Sequence, residues 1–311
     1  MRKSSNFWQN LVLAVVAIAA LASEINLGGY VERNRVSIPE SYADEDLDLQ
    51  GKKLKGFGMG FEGLIADWYW MRSLQYIGDK IEKSDTDTIN LDDLRELNPR
   101  LLYPLLDNAT ELDPKFTTAY SYGAIVLPAI DPYQAIKLTE KGIANNPKEW
   151  RFYQYLGYIY WRLKNYDKAA EVYEQGSHLP GAPPFLKLMV GMMQTRGGGR
   201  DTARQVYRQM QNDASDDDTR RIAGLRLQWL DSLDERDYLN SALATFKEKN
   251  GRCAHSFAEL FPLLKTMPTR AGVELRVNSA GEIVDPSGWP YLLDQIECEA
   301  ILSQATQIPR D

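Results

Sequence analysis

Only two cysteines and two histidines occur in 311 residues, and that scarcity removes several chemistries at once. Two cysteines cannot make the multi-bridge framework of a disulfide scaffold, and without a Cys-x-x-Cys they do not make a zinc site. Cys253 and Cys298 both fall near the C-terminus. An oxidising compartment permits a bridge between them, a reducing one leaves two buried thiols, and the residues themselves leave both open. His178 follows a helical segment and reads as a solvated turn residue, while His255 has only Glu259 nearby. Neither assembles a Ser-His or Cys-His relay. Positive charge is also short: 36 Lys and Arg stand against 43 Asp and Glu, a net charge of −7 that argues against non-specific nucleic-acid binding. There is no phosphate-binding glycine loop and no Gly-x-Ser-x-Gly elbow. Asp85-x-Asp87 and Asp44-x-Asp46-x-Asp48 lack the glycine that a calcium loop needs at its sixth position, so both read as solvated acidic loops. No catalytic residue, metal, cofactor or small-molecule substrate is expected.

Long apolar runs are absent too, with one exception. Arg2 and Lys3 precede a block of twelve apolar residues, 11–22, and Glu24 is the one charge between residues 7 and 31. A signal peptide has this charged start and short core, with Ala20-Leu21-Ala22 as a cleavage site before Ser23. A signal anchor over residues 7–31 is long enough to cross a bilayer. Either sends the rest of the chain out of the cytoplasm, because the positive flank stays inside. A buried N-terminal helix of a cytoplasmic protein is the third reading.

What the chain does have is a period. Gly123, Gly157 and Gly191 lie 34 residues apart, each followed twelve residues on by Ala135, Ala169 and Ala203, and Gly142, Gly176 and Met210 keep the same time. Small residues at fixed phases of such a period mark stacked helical hairpins, whose helices approach too closely for larger side chains. The best copy carries Tyr153, Leu156, Gly157, Tyr160, Ala169, Tyr173 and Gly176. Half-repeats flank the three copies: helices over 65–77 and 101–114 upstream, and a further pair over 219–232 and 237–249 downstream. Residues Gly197, Gly198 and Gly199 suit the left-handed backbone of a tight helix stop. The tail changes character, with a short helix over 256–261, then a β-hairpin of strands 273–277 and 282–284 around a turn at 278–281. The expected organisation is a signal anchor or signal peptide (1–31), a polar spacer (32–55), a helical repeat domain (56–250) and a small C-terminal cap (251–311).

The spacing of large residue, Leu-Gly, Tyr, Ala, aromatic and small residue resembles the tetratricopeptide repeat (TPR) family. That resemblance implies an all-α superhelix of antiparallel helix pairs, here with an N-terminal transmembrane or signal helix and a small C-terminal α+β cap. It also implies a concave groove lined by the first helix of each pair. By its phasing, Tyr120 and Leu127 line the groove in the first copy. Arg151, Gln154, Tyr158 and Trp161 line it in the second, and Phe185, Leu188 and Met192 in the third. Such a groove is apolar, suited to an amphipathic helix or an apolar peptide rather than an acidic C-terminus. The chain itself can also fill it, with the aromatic helix near Trp68 or with the C-terminal tail. The run Ile65-Ala66-Asp67-Trp68-Tyr69-Trp70-Met71-Arg72, with Leu74-Gln75-Tyr76 after it, resembles an uncharacterised class of membrane-anchored bacterial TPR proteins. That likeness favours an uncleaved anchor with the soluble part on the periplasmic side of the inner membrane; secretion after cleavage before Ser23 is the alternative. Asp285-Pro-Ser-Gly-Trp-Pro-Tyr291, after a helix and a short sheet, is similar to the soluble part of type II secretion pseudopilins and implies only a small α+β cap. The expectation is a non-catalytic scaffold that binds a protein partner and assists an envelope complex. Two rivals remain open. A constitutive subunit of a membrane assembly would show a large exposed aromatic patch near the anchor. A hydrolase or binding enzyme would show a pocket with converging polar groups in the cap.

Overall fold

The structure is a computed structural model, described here for residues 3–33, 51–55, 59–84, 90–268 and 273–310. The polar spacer falls largely outside the described residues, as do the acidic runs at Asp44–Asp48 and Asp85–Asp87. The chain divides into two compact units, Met1–Asp48 and Leu49–Asp311.

Among the described residues the first unit holds one helix, α1 (Lys3–Arg33). Its stretch Val12–Tyr30 spans 19 residues with mean hydropathy 1.9, and none of it is buried. At 1.5 Å per residue that is roughly 28 Å, the thickness of a bilayer's hydrocarbon core. The helix can therefore cross a membrane by length and composition, a test that a signal sequence also passes. Asn26, which interrupts the apolar run, turns its carboxamide back onto the Ala22 carbonyl at 2.7 Å, so one of its donors is satisfied within the helix.

The second unit is mostly helical. A short α2 (Gly51–Leu54) and the long α3 (Glu62–Glu82) precede α4 (Leu102–Leu112). Three hairpins follow: α5 (Thr117–Val126) with α6 (Pro132–Asn145), α7 (Trp150–Arg162) with α8 (Tyr166–Ser177), and α9 (Phe185–Arg196) with α10 (Arg200–Asp213). Each helix from α3 to α10 packs on its sequence neighbours, while α2 packs on α4. The 34-residue period is visible as geometry. An ideal Cβ on Gly157 of α7 would sit 2.7 Å from the Tyr173 ring of α8, and one on Gly191 of α9 would sit 2.3 Å from the Tyr207 ring of α10. Ala135, Ala169 and Ala203 are fully buried on the second helices. The small residues thus make room for an aromatic side chain of the partner helix, and the burial of Tyr173 and Tyr207 is the return.

The stops between paired helices repeat as well. Lys164 and Gly198, 34 residues apart in the sequence, both take positive φ, at 57° and 85°. In the same two turns Asn165 N–H reaches the Tyr160 carbonyl at 2.9 Å and Gly199 N–H reaches the Gln194 carbonyl at 2.8 Å. This is the six-to-one bond that closes a helix with a left-handed residue. Starts are capped by side chains: Asp131 accepts from Tyr133 and Gln134 N–H, Asn165 from Lys168 N–H.

After α10 the structure differs from the expected helix pair. Residues Asp217–Asn250 form one helix, α11, of 34 residues. The expected break at 233–236 is Leu-Asp-Glu-Arg, with no glycine or proline to stop a helix, and both acids there find partners outside it. The helix ends where Gly251 takes φ 69°. The first half of α11 packs on α10, and its second half carries the cap. There, a 3-10 turn at Phe257–Leu260 leads into α12 (Phe261–Leu264). Strands β1 (Arg276–Val277) and β2 (Ile283–Val284) form the expected hairpin, with Gly281 at φ 80° in its turn. A second antiparallel hairpin, β3 (Leu292–Asp294) with β4 (Glu299–Ile301), was not foreseen. Leu239 of α11 packs with Ile283, Tyr291 and Ala300 of the cap. Cys253 and Cys298 are bonded, tying the end of α11 to the second hairpin.

Candidate functional site

One aromatic pair and one cation–ring pair set the geometry of the α7–α9 face. At the helix N-termini the Trp150 and Phe185 rings meet edge to face at 6.4 Å, and at the C-termini the Arg196 guanidinium lies 5.6 Å from the Trp161 ring centre. The two helices therefore run side by side in the same direction. Between these ends Tyr158, 41% exposed, meets Trp161 edge to face at 5.9 Å. Phe185 is 38% exposed, and Gln154, Trp161 and Met192 are half-buried. Arg151 is exposed and stands over the Trp150 ring at 4.6 Å, paired to Glu149 at 3.0 Å. The result is an accessible aromatic surface with a guanidinium at either end. Trp150 and Arg196 belong to it and were missed from sequence. Their signal was a cation as the last residue of one first helix, opposite a Trp on its neighbour, which no single-helix pattern contains.

The structure corrects the groove at its flanks. Tyr120 and Leu127 are fully buried. The Tyr120 ring packs on Phe152 at 5.6 Å, under Gly142, and its hydroxyl lies 3.4 Å from the Thr110 carbonyl and 3.1 Å from the Asn145 amide. Leu127 opens a 3-10 turn, Leu127–Ala129, where the first hairpin coils tightly instead of stopping on a left-handed residue. Leu188 packs into a cluster with Tyr207, Trp229 and Ile308, so the C-terminal tail reaches this end of the array. At the other end Trp70 of α3 lies against Phe116 at 5.8 Å and Tyr122 at 5.1 Å. The chain covers both flanks and leaves the centre open.

A second feature lies where α10, α11 and the cap meet. A cavity of about 330 Å³ is lined by Arg204, Asp231, Asp234, Glu235, Glu274 and Arg276, with Val273 as an apolar wall. Its charges are largely spent on one another. Asp234, 8% exposed, accepts from Arg200 and Arg204, both at 2.7 Å. Glu235 accepts from Arg276 at 2.6 Å and from the Tyr291 hydroxyl at 2.7 Å. Among the described residues no His, Cys or Lys lines it. Chemically the arrangement is a joint that fastens the cap to α11. Among the described residues no group of His, Cys, Asp and Glu could hold a metal ion.

The adjacent carboxyls respond oppositely to their surroundings. Burial pushes Glu235 above its ordinary value, and its hydrogen bonds from Tyr291 and Arg276 counter this only in part. Burial acts on Asp234 in the same sense, but bonds from Arg204 and Arg200 outweigh it and hold the carboxyl below its ordinary 3.8. A depressed carboxyl stabilises the fold above its unfolded pKa and loses that contribution as pH falls through the folded one. Asp234→Asn is accordingly expected to cost about 2 kcal/mol at neutral pH, where two partly buried guanidiniums lose their shared acceptor. The gap from the wild type should narrow below about pH 4. Denaturant unfolding at pH 7 and pH 3 measures this, and a gap that widens in acid contradicts it.

No protein-family model matches the chain, and no curated protein sequence does either.

Proposed function

We propose that this chain is a non-catalytic scaffold of TPR-like superhelical form, tethered to a membrane by α1 with its second unit outside the cytoplasm. It holds a partner polypeptide on the α7–α9 face and so assists an envelope complex. The observation that carries the reading is the open aromatic surface of Tyr158, Trp161 and Phe185, the part of the array that neither α3 nor the C-terminal tail covers. Exposed aromatics over a rigid helical base are what anchor a bound helix or apolar peptide, because their contact area comes at little entropic cost. Arg151 and Arg196 at its two ends suit a partner segment with acidic flanks. The Cys253–Cys298 bridge supports placement in an oxidising compartment. A mature chain beginning at Ser23 would replace the anchor with a cleaved signal and leave the face unchanged.

The test is Tyr158→Ala with Trp161→Ala, the first exposed and the second half-buried on α7. Partner capture from solubilised membranes, quantified by mass spectrometry, should fall at least about tenfold for the loss of two such anchors. Unfolding should shift by less than about 1.5 kcal/mol. Unchanged capture would move the interface elsewhere.

One observation favours a second reading, a constitutive subunit of a membrane assembly. On α3 and the turn before it, Met59, Phe61, Leu64, Trp68 and Met71 are between 51% and 88% exposed. Apolar area of that kind on an otherwise polar body is characteristic of contacts that are never released.

A further inference from the structure

The apolar stripe of α3 has a periodicity that selects its occupant. Phe61, Leu64, Trp68 and Met71 are spaced three, four and three residues apart, the seam of a two-stranded coiled coil. The buried residues of the same helix, Ala66, Tyr69, Ser73, Tyr76 and Ile77, lie on its opposite side, so the seam is open to a second helix. In the seam's frame Asp67 and Arg72 occupy the two flanking positions. They are five residues apart, both exposed, and neither has an ion-pair partner among the described residues. On one helix a separation of five keeps them from facing each other. Across a parallel pair of identical helices it brings Asp67 of each copy beside Arg72 of the other, twice by symmetry. An antiparallel pair, or a flat apolar surface, gains nothing from this placement.

We propose that α3 associates with α3 of a second copy of this chain, in parallel, through Phe61, Leu64, Trp68 and Met71, with reciprocal Asp67–Arg72 pairs at the edges. This deepens the second reading above and rests on its claim that the stripe is covered. The seam spans little more than two and a half turns, and the two copies together bury roughly 900 Å² of side-chain surface, at the small end of specific interfaces. Such a pair is weak alone. Two copies held by their N-terminal helices in one membrane would meet at high effective concentration.

The experiment uses the full chain in its native membrane with Leu64→Cys, treated with a short bismaleimide, which leaves the Cys253–Cys298 bridge untouched. Tyr133→Cys, an exposed site on α6, is the control. A product of twice the chain mass is expected for position 64 and not for 133. With Leu64→Cys as background, Asp67→Arg should lower its yield about fivefold by turning two attractions into repulsions. Adding Arg72→Asp should restore it. Equal yields at both positions, or no recovery in the double variant, overturns the proposal. A product with a different polypeptide also overturns it while sustaining the constitutive-subunit reading, and no product at position 64 overturns it as well.

Discussion

Gly157→Val and Gly191→Val are each expected to destabilise the protein by about 3 kcal/mol or more, the largest effect of any single substitution in the repeats. Their first added carbon alone would stand 2.7 Å from the Tyr173 ring and 2.3 Å from the Tyr207 ring. Both rings are wholly interior, Tyr173 at 2% and Tyr207 at 0% exposure, so neither can swing aside. The helices of the hairpin must then separate, and the core between them opens. Gly224 provides the contrast. It too lies within a helix, but its nearest neighbour is the end of the flexible Gln211 side chain at 3.1 Å. Gly224→Ala should be neutral or stabilising by up to about 1 kcal/mol, from helix propensity alone. Pairing Gly157→Ala with Tyr173→Leu should cost less than the two changes summed, because the smaller side chain vacates the contested space. Equilibrium unfolding of the set decides it. Valine tolerated at 157 and 191 as readily as alanine at 224 would mean that the helices do not approach as described.

The second large effect is that of the disulfide. Cys253→Ser with Cys298→Ser should lower stability by ~4 kcal/mol, the chain-entropy value for a loop closed over 45 residues. The loss should fall on the cap, which is built from short hairpins on the second half of α11 and has little core of its own apart from the Leu239 and Leu260 clusters. Far-UV helical signal should survive where near-UV signal from Trp289 and Tyr291 is lost. Native protein should show no reactive thiol, and two after reduction under denaturing conditions. Two thiols that label in native protein would remove both the bridge and the support it lends to an oxidising location.

How much of this was legible beforehand depended on whether the decisive contact was local. The 34-residue period was readable because each small residue reports a constraint inside one hairpin: Gly157 against Tyr173, Gly191 against Tyr207. The first cap hairpin was readable for the same reason, since Gly281 and the Asn278 side chain shape its turn within four residues. The continuous α11 was not. Repeat phasing suggested a break, while the chain there contains no glycine or proline, and what keeps Asp234 and Glu235 satisfied comes from α10 and the cap. The β3–β4 hairpin had a weak local cue, the Asp294 carboxylate accepting from Ile296 and Glu297 N–H, hidden in a run that reads as polar loop. The groove was half legible. The phasing named Tyr158 and Trp161, of which the structure leaves the first exposed and the second half-buried on α7, but it treated the first hairpin as a standard copy. There the chain replaces the left-handed stop with a 3-10 turn that begins at the buried Leu127, and Phe152 packs on the buried Tyr120 ring.

The central claim is that the middle of the helical array is a surface for another polypeptide. A photo-crosslinking amino acid placed at Tyr158 in the full chain, irradiated in intact cells, measures this directly. The account expects a discrete adduct with a second polypeptide at 158, absent when the same group replaces Tyr133 and lost when Trp161→Ala is added. Adducts of equal yield at both positions, or none at 158, would contradict it.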